Sequence, residues 1–239
     1  MSDKPEIHPV TATVNPDDHP AKVAWRSAEE AAKYRASRDP SRFTRYGLEE
    51  KIVTGWLSQV PAGGNVLDAP CGTGRMLKTI TSMGLRYTGL DISQAMIEEA
   101  RKTGAGDPLV VGFRQGDLER LPFADNEFDC VVLWRLMHHM GSSAAREAIL
   151  REARRVSRDR VLMSFHHAIS WTAFRKWVQR TFFGRKQHGR PITHWTLAGE
   201  AERSGLQMVE LSSFGKYRSI NWFACLRKAQ GGTDAARAR

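Results

Sequence analysis

The stretch Val66–Met76, VLDAPCGTGRM, decides the fold. A short apolar run ends at Asp68, and a turn of small residues follows it. Gly72 and Gly74 let the backbone approach a ligand closely, and the start of the next helix offers N–H groups that have no partner inside the helix. Pro70 excludes a positive φ at its own position, so the first bend of the turn falls elsewhere. The stretch is typical of a strand, loop and helix that bind a ligand at the loop.

The composition is that of a globular chain with a basic surface. Its 239 residues are 41% hydrophobic and carry a formal net charge of +10, which suits a buried core and a polyanionic partner. No run approaches the roughly 18 apolar residues of a membrane span, and the N-terminus lacks the apolar centre of a signal peptide. We therefore expect a cytoplasmic protein whose cysteines, Cys71, Cys130 and Cys225, are reduced and buried.

Strand and helix patterns alternate from residue 48 to about residue 166. Helices are expected to begin after Ser93 and Ser142, which are suitable N-caps. This alternation predicts an α/β fold with a parallel, doubly wound sheet. Two later apolar segments, separated by a short turn, predict a C-terminal antiparallel hairpin and complete a mostly parallel sheet of seven strands.

One domain is predicted over residues 25–228, with a helical cap insertion at about 167–195. Residues 1–24 are rich in Pro, Asp and Thr, and residues 229–239 are rich in small residues. Both ends are expected to be disordered.

Three aspartates stand at the predicted ends of successive strands. Asp68 ends the first strand, Asp91 ends the second, and Asp117 follows the third. Because parallel strands bring their carboxyl ends to one edge, where ligands bind, these acids are expected around one crevice. Asp91 stands at the distance from the glycine turn at which an acid binds both hydroxyls of a ribose. Each acid, taken alone, would equally well cap the next helix.

Two further motifs, YTGLDIS (87–93) and GDLERLPFADNEFDCVVLWRLMHHM (116–140), extend this pattern. With VLDAPCGTGR they resemble the class I S-adenosylmethionine-dependent methyltransferases, and are most similar to the methyltransferase type 11 group, which includes ubiquinone and menaquinone biosynthesis C-methyltransferases. Pro70 stands where this family has its first glycine. The resemblance covers about residues 44–228. It implies a Rossmann-like sheet, S-adenosyl-L-methionine as cofactor, and methyl transfer to a small-molecule or lipid-like acceptor at the end of strand four.

The resemblance also implies the residues of the cofactor site. Those around the methionine portion would be Asp68, Ala69, Gly72 and Gly74. Asp91 would bind the ribose, Ile92 would lie against the adenine, and Asp117 with the Leu118 backbone would recognise the adenine amino group. Those at the end of strand four, where sulfonium and acceptor meet, would be Leu133, Trp134 and Arg135.

Histidines at the same end of the sheet are the candidates for acid–base chemistry. If the acceptor is a hydroxyl or a carbon acid, His138 or His139 is placed to remove its proton. The resemblance implies, as an alternative, a structural histidine that links this loop to the next helix. His166 and His167 open on the same side, but neither clustered carboxylates nor metal spacing accompany them, so no metal site is predicted.

The insertion is the most individual part of the sequence. Residues 160–199 include seven Lys or Arg and no acid. On a helical wheel the apolar side consists of Trp171, Phe174, Trp177, Val178 and Phe182. This helix either packs over the sheet as a cap, or lies through residues 171–190 on an anionic membrane, which would make the protein peripheral at the inner face of that membrane.

Two alternative functions remain open. An RNA methyltransferase would use the basic surface to bind nucleic acid, but strand four ends in LWRLMHH (133–139) rather than in the Asn/Asp-Pro-Pro-aromatic pattern that holds a base amine. A catalytically inactive adaptor would bind the cofactor without turnover. The sequence predicts neither the acceptor nor the oligomeric state.

Overall fold

The computed structural model describes residues 43–183, 190–213, 217 and 219–229. Its strands are β1 (Asn65–Asp68), β2 (Arg86–Asp91), β3 (Val110–Gln115), β4 (Phe128–Leu133), β5 (Ser157–His166), β6 (Leu206–Ser213) and β7 (Asn221–Lys228). Its helices are α1 (Phe43–Leu57), α2 (Leu77–Thr81), α3 (Gln94–Gly104), α4 (Ser143–Val156), α5 (Trp171–Phe183) and α6 (His194–Arg203). A short 3-10 helix spans Met137–His139.

The strands form one sheet in the order β3-β2-β1-β4-β5-β7-β6. Strands β1 to β5 are all parallel to one another, and β7 runs antiparallel between β5 and β6. The predicted seven-stranded α/β sheet with a C-terminal hairpin is confirmed. The chain reverses its direction of progress across the sheet between β1 and β4, and such a switch point opens a crevice beyond the carboxyl ends of the two strands.

Two predicted helix starts are confirmed by their capping hydrogen bonds. The Ser93 hydroxyl accepts from the Met96 N–H at 3.3 Å, and the Ser142 hydroxyl accepts from the Ala145 N–H at 3.2 Å. Each cap satisfies one N–H that has no partner within its helix. These caps fix where α3 and α4 leave the loops at the ligand-binding edge.

Both faces of the sheet are buried, as a doubly wound fold requires. Residues of α1 and α2 pack on one face, and residues of α4 and α6 pack on the other. The central strand β4 is fully buried from Cys130 to Leu133 because it faces both layers. The three cysteines are free and buried, as predicted.

The first helix differs in end point and in buried face from the amphipathic helix predicted by LEEKIVTGWLSQV (48–60), whose apolar face consists of Leu48, Ile52, Trp56 and Val60. It ends at Leu57, and Pro61 soon follows, which disfavours a helical conformation at the residue before it. Its buried side includes Val53, Trp56 and the acid Glu49, which is 5% exposed. An acid therefore lies on a face that periodicity alone would reserve for apolar residues.

The predicted disordered ends fall mostly outside the described residues. Residues 1–24 and 230–239 lie outside them entirely. Ala229 is described, and its N–H donates to the Gly205 carbonyl at 3.1 Å.

The segment 168–191, within the predicted insertion, leaves and rejoins the sheet at one place. His167 and Ile192 form an isolated parallel bridge. The Ile192 N–H donates to the His166 carbonyl at 2.7 Å, and the Ala168 N–H donates to the Ile192 carbonyl at 3.1 Å. Both ends of the insertion are thus fixed just beyond the carboxyl end of β5.

Candidate functional site

Asp91 ends β2 and joins two strand tips of the crevice. Its Oδ2 accepts from the Gly72 N–H at 2.8 Å, and its Oδ1 accepts from the Ser93 N–H at 2.9 Å. Because each carboxylate oxygen can accept about two hydrogen bonds, both retain acceptor capacity for a further ligand. The Asp91 carboxylate after β2 is therefore held in a fixed orientation beside the glycine loop after β1.

The environment of Asp91 works in two directions. Burial raises the pKa of this carboxyl group above its usual value, while backbone N–H groups, Ser93 and Gly72 first, act to lower it. The side chain is 6% exposed. A carboxylate held this way is desolvated in advance, which strengthens a hydrogen bond to a ligand hydroxyl.

The two loop glycines serve different purposes. Both have positive φ, +52° at Gly72 and +77° at Gly74, a conformation that glycine adopts without a steric penalty. A Cβ at Gly72 would meet nothing within 4 Å, whereas a Cβ at Gly74 would lie 3.4 Å from Ala100 and Thr103 of α3. Gly72 therefore borders open space at the crevice, and Gly74 allows close packing of the loop on α3.

Asp68 lies deeper than Asp91, with 1% of its surface exposed. Its Oδ2 accepts from the Tyr87 hydroxyl at 2.9 Å. Both aspartates act on Cys71: burial raises the pKa of this thiol well above its ordinary value, and the charges of Asp91 and Asp68 raise it further. The structure thus brings these two predicted acids to the same loop, where they keep Cys71 protonated and unreactive.

The predicted adenine residues follow β2 and β3. Asp117 is half-buried, and its Oδ1 accepts from the Glu119 N–H at 3.0 Å, so the acid shapes its own turn. The Gln115 side-chain amide donates to the Ile92 carbonyl at 3.0 Å and joins the two loops. Ile92 is half-buried, and Leu118 packs partly buried against the core. An apolar surface and an acid consequently stand side by side beyond β2 and β3.

The three residues predicted at the end of strand four are not equivalent. The side chains of Leu133 and Trp134 are buried in the core layers on opposite faces of the sheet, and Trp134 stacks on Phe223 with ring centroids 5.2 Å apart. Arg135 instead has a left-handed backbone with φ +56°. Of the three, only Arg135 directs a partly exposed side chain out of the core.

Glu49 was not predicted from the sequence, although it lies at the switch point. It accepts a hydrogen bond from Arg75, which follows the glycine loop after β1. Its other oxygen lies 3.7 Å from the Arg135 guanidinium, which follows β4. Helix α1 therefore places a buried acid between the two strand ends that bound the crevice. No local pattern in the sequence indicates it, because its burial depends on arginines from two other parts of the chain.

The family comparison agrees with this geometry. Residues 66–160, which run from β1 into β5, match a family model described as a methyltransferase domain. Residues 66–160 are therefore a methyltransferase domain, as the motifs predict.

Curated proteins that are similar to this chain are named for methyl-transfer reactions. The chain is 32% identical to the demethylmenaquinone methyltransferase of Renibacterium salmoninarum over 117 residues, which are 49% of this chain and 47% of that protein. It is 40% identical to the malonyl-[acyl-carrier protein] O-methyltransferase of Erwinia pyrifoliae over 93 residues, which are 39% of this chain and 33% of that protein. The chain spans less than two thirds of the length of these curated relatives.

Solved structures show the same fold at low identity. The magnesium protoporphyrin IX methyltransferase of Synechocystis PCC 6803, crystallised with bound SAH, aligns with a TM-score of 0.62 at 17% identity and covers 77% of this chain and 83% of its own. The PH0226 protein of Pyrococcus horikoshii aligns with a TM-score of 0.64 at 18% identity and covers 86% and 95%.

The histidines predicted as bases belong to the 3-10 helix Met137–His139. His138 is 5% exposed, and its ring stacks on His166 with centroids 3.6 Å apart and lies 4.2 Å from that of His139. The His138 carbonyl accepts from the Arg190 N–H at 2.6 Å. His138 therefore ties the loop after β4 to the end of the insertion, and proton removal by either histidine stays a prediction.

A second histidine pair lies at the base of the insertion. His167 is fully buried, its Nε2 lies 3.0 Å from the His194 Nδ1, and its ring stacks on Trp222. Burial lowers the pKa of His167, and His194 lowers it further. No group of three or more His, Cys, Asp or Glu that could hold a metal ion occurs within the described part of the chain.

The insertion forms an open, apolar groove of about 830 Å³. Its lining runs from Ala168 to Trp177 and is completed by Pro191 and Tyr217. Trp171, Phe174 and Trp177 are 67%, 52% and 55% exposed. Ala173 lies on the buried side of α5, so these three rings lie on its exposed side, and a cap formed by this helix stays a prediction.

Proposed function

We propose that this protein transfers a methyl group from S-adenosyl-L-methionine to a small-molecule or lipid-like acceptor held at the end of β4. The observation that carries the proposal is the Asp91 carboxylate, oriented by the Gly72 and Ser93 N–H groups beside the switch-point crevice. The names of two relatives, a quinone methyltransferase and a malonyl O-methyltransferase, support an acceptor of this size.

The residues at the strand ends fit this cofactor. Asp91 retains acceptor capacity for two ribose hydroxyls, and Gly72 leaves space for a ligand to approach the backbone. The methionine portion would lie by Asp68, Ala69 and the loop glycines, and the adenine would lie by Ile92, Asp117 and Leu118. When bound, the cofactor supplies a methyl group already activated by its sulfonium.

The protein's remaining task is to orient the acceptor and exclude water, because the methyl carbon needs no further activation. The backbone from Leu133 to Arg135 would line the reacting end of the crevice. For an acceptor that must lose a proton, we propose the histidines of the 3-10 helix, His138 and His139, as its base.

Binding of S-adenosylhomocysteine, measured by calorimetry, tests the cofactor site. Asp91→Asn should weaken binding about a hundredfold, because one amide group replaces an oxygen and meets the Gly72 or Ser93 N–H donor to donor. Glu98→Gln, on the exposed face of α3, is the matched control and should bind as the wild type does. Wild-type affinity in Asp91→Asn would contradict the ribose assignment, and absence of binding in the wild type would contradict the proposed function.

An anionic membrane surface is the partner we propose for residues 171–190. Three exposed rings, Trp171, Phe174 and Trp177, lie along one helix, and the exposed Arg175 and Arg190 flank them. Aromatic rings with basic neighbours suit the headgroup boundary of a bilayer. None of the described helices is both long and apolar enough to cross one. The aromatic groove favours a lipid-like acceptor over RNA.

A further inference from the structure

The backbone of Arg135 is held in a conformation that arginine rarely adopts. Its φ of +56° lies in the left-handed region, which is sterically unfavourable for a residue with a Cβ. The Arg135 N–H donates to the Ser164 hydroxyl at 2.7 Å, and Ser164 is 5% exposed in β5. The fold therefore specifies this conformation, at the end of β4, where the acceptor must meet the methyl group.

The side chain of Arg135 is only weakly engaged. Its guanidinium lies 3.7 Å from Glu49, too far for a hydrogen bond, and is 41% exposed. Glu49 makes its close contact with Arg75 instead. No other ion pair or hydrogen bond of this guanidinium occurs among the described residues. A fork of five donors thus remains available to a ligand at the mouth of the crevice.

The charge of Arg135 indicates which ligand it receives. A sulfonium is a cation, so a guanidinium near it disfavours donor binding unless an anion lies between them. Glu49 carries one negative charge and faces two arginines, which leaves one positive charge in this group of three. An acceptor bearing a negative charge would balance it.

We propose that Arg135 is a specificity-determining residue that binds an anionic oxygen group of the acceptor. This inference rests on the proposed methyl transfer and narrows its substrate class to carboxylates, or to phenolates and enolates. Arginine suits such oxygens because its planar fork matches them with two parallel, charge-assisted hydrogen bonds.

The transfer then balances without a base. The anionic oxygen gives an electron pair to the methyl carbon while the carbon–sulfur bond breaks, and the electrons of that bond stay on sulfur. A cation and an anion become a neutral thioether and a neutral ester or ether, and no proton leaves. Such an acceptor makes no demand on His138, whose ring is buried in a histidine stack.

The groove of the insertion suggests the remainder of the acceptor. Ile169, Phe174 and Trp177 offer an apolar surface that follows β5, the neighbour of β4 in the sheet. The proposal therefore gives the acceptor an acidic head for Arg135 and an apolar body for this groove. A medium-chain carboxylate is therefore the simplest probe.

Calorimetry on the protein saturated with S-adenosylhomocysteine tests the inference with two matched pairs of probes. One pair is decanoate and decanamide, and the other is 4-nitrophenolate and nitrobenzene. The wild type should bind the anion of at least one pair about tenfold more tightly than its neutral partner. The pair that shows the preference distinguishes a carboxylate acceptor from a phenolate.

Variants assign the preference to this side chain. Arg135→Gln should remove the preference, Arg135→Lys should keep part of it, and Arg151→Gln, an exposed arginine of α4, should leave it unchanged. Arg135→Gly guards against misfolding, because glycine accepts the positive φ and the variant should be at least as stable as the wild type.

Three results would overturn the inference: equal affinity for both members of each pair, no binding of any probe, or a preference that survives in Arg135→Gln. If S-adenosylhomocysteine binds while these results hold, only the inference fails. If it does not bind, the proposed function fails first.

Discussion

The glycine loop with Asp91 and the α5 groove lie at the same edge of the sheet but are built in opposite ways. At the first, the acids are held by hydrogen bonds from the protein itself: Asp91 accepts from the Gly72 and Ser93 N–H groups, and Asp68 accepts from the Tyr87 hydroxyl. At the second, three aromatic rings are more than half exposed. One region has its geometry completed by the protein itself, and the other presents a surface that a ligand or partner would complete.

The difference follows from what each region is proposed to recognise. A nucleoside with fixed hydroxyls and a fixed base needs acceptors at set positions, so preorganised hydrogen bonds reduce the entropy lost on binding. An apolar body is recognised by area rather than by direction, so exposed rings suffice. We expect substitutions in the first region to change both stability and cofactor binding, and substitutions in the second to change acceptor or surface binding alone.

The largest effect on stability should come from Glu49, which links α1 to the crevice. Glu49→Gln removes a buried charge between Arg75 and Arg135 and should lower the free energy of unfolding by about 2 kcal/mol. Urea unfolding measures this change. Glu50→Gln is the control, because Glu50 is exposed on the same helix and its replacement should change stability little. Equal stability of the two variants would mean that α1 is held by its apolar contacts alone.

A smaller effect, on binding only, should follow from removing exposed rings of α5. Trp171→Ser with Trp177→Ser should reduce affinity for vesicles of phosphatidylglycerol and phosphatidylcholine about tenfold, while the unfolding temperature stays the same, since both rings are already in solvent. Tryptophan fluorescence and vesicle co-sedimentation measure the binding. Trp195→Ser removes a comparably exposed ring of α6 as the control. No binding by the wild type at low salt would exclude the membrane surface as partner.

The smallest effect should be a pH dependence that originates at the base of the insertion. Because burial lowers the pKa of His167, the unfolded chain binds its proton more readily than the folded protein does. The contribution is present above the ordinary imidazole pKa of about 6.5 and is lost as the pH falls through the lower folded value. His167→Asn should flatten this part of the curve of unfolding temperature against pH between pH 5 and 8. If the slope of the curve is the same in His167→Asn as in the wild type, this pH dependence originates from other groups.

The sequence predicts the strand and helix ends around the glycine loop because each of the rules used there is local. The order of strands and helices follows from periodicity, the starts of α3 and α4 follow from Ser93 and Ser142, and Asp91 follows from its distance to the glycine turn. The structure also brings Asp68 to the same loop. These features depend on neighbours in the chain, and the parallel sheet brings the strand ends together.

Features that depend on distant contacts were beyond prediction. Glu49 is buried because Arg75 and Arg135 meet it from two other elements, and an acid on a helix is ordinarily a solvent-facing residue. The left-handed backbone of Arg135 depends on Ser164 in β5. On α5 the reverse holds: the aromatic residues predicted as an apolar face are exposed, because periodicity predicts an apolar face but not what covers it.

The bridge between His167 and Ile192 has an evolutionary consequence. Since the chain leaves and rejoins the sheet at neighbouring positions, the excursion between these residues can change in length or composition without moving the strands that it connects. A chimaera that exchanges this excursion for that of another family member should therefore fold and keep its affinity for the nucleoside. Exchange of this segment would change the acceptor that is bound and leave the sheet and its glycine loop unchanged.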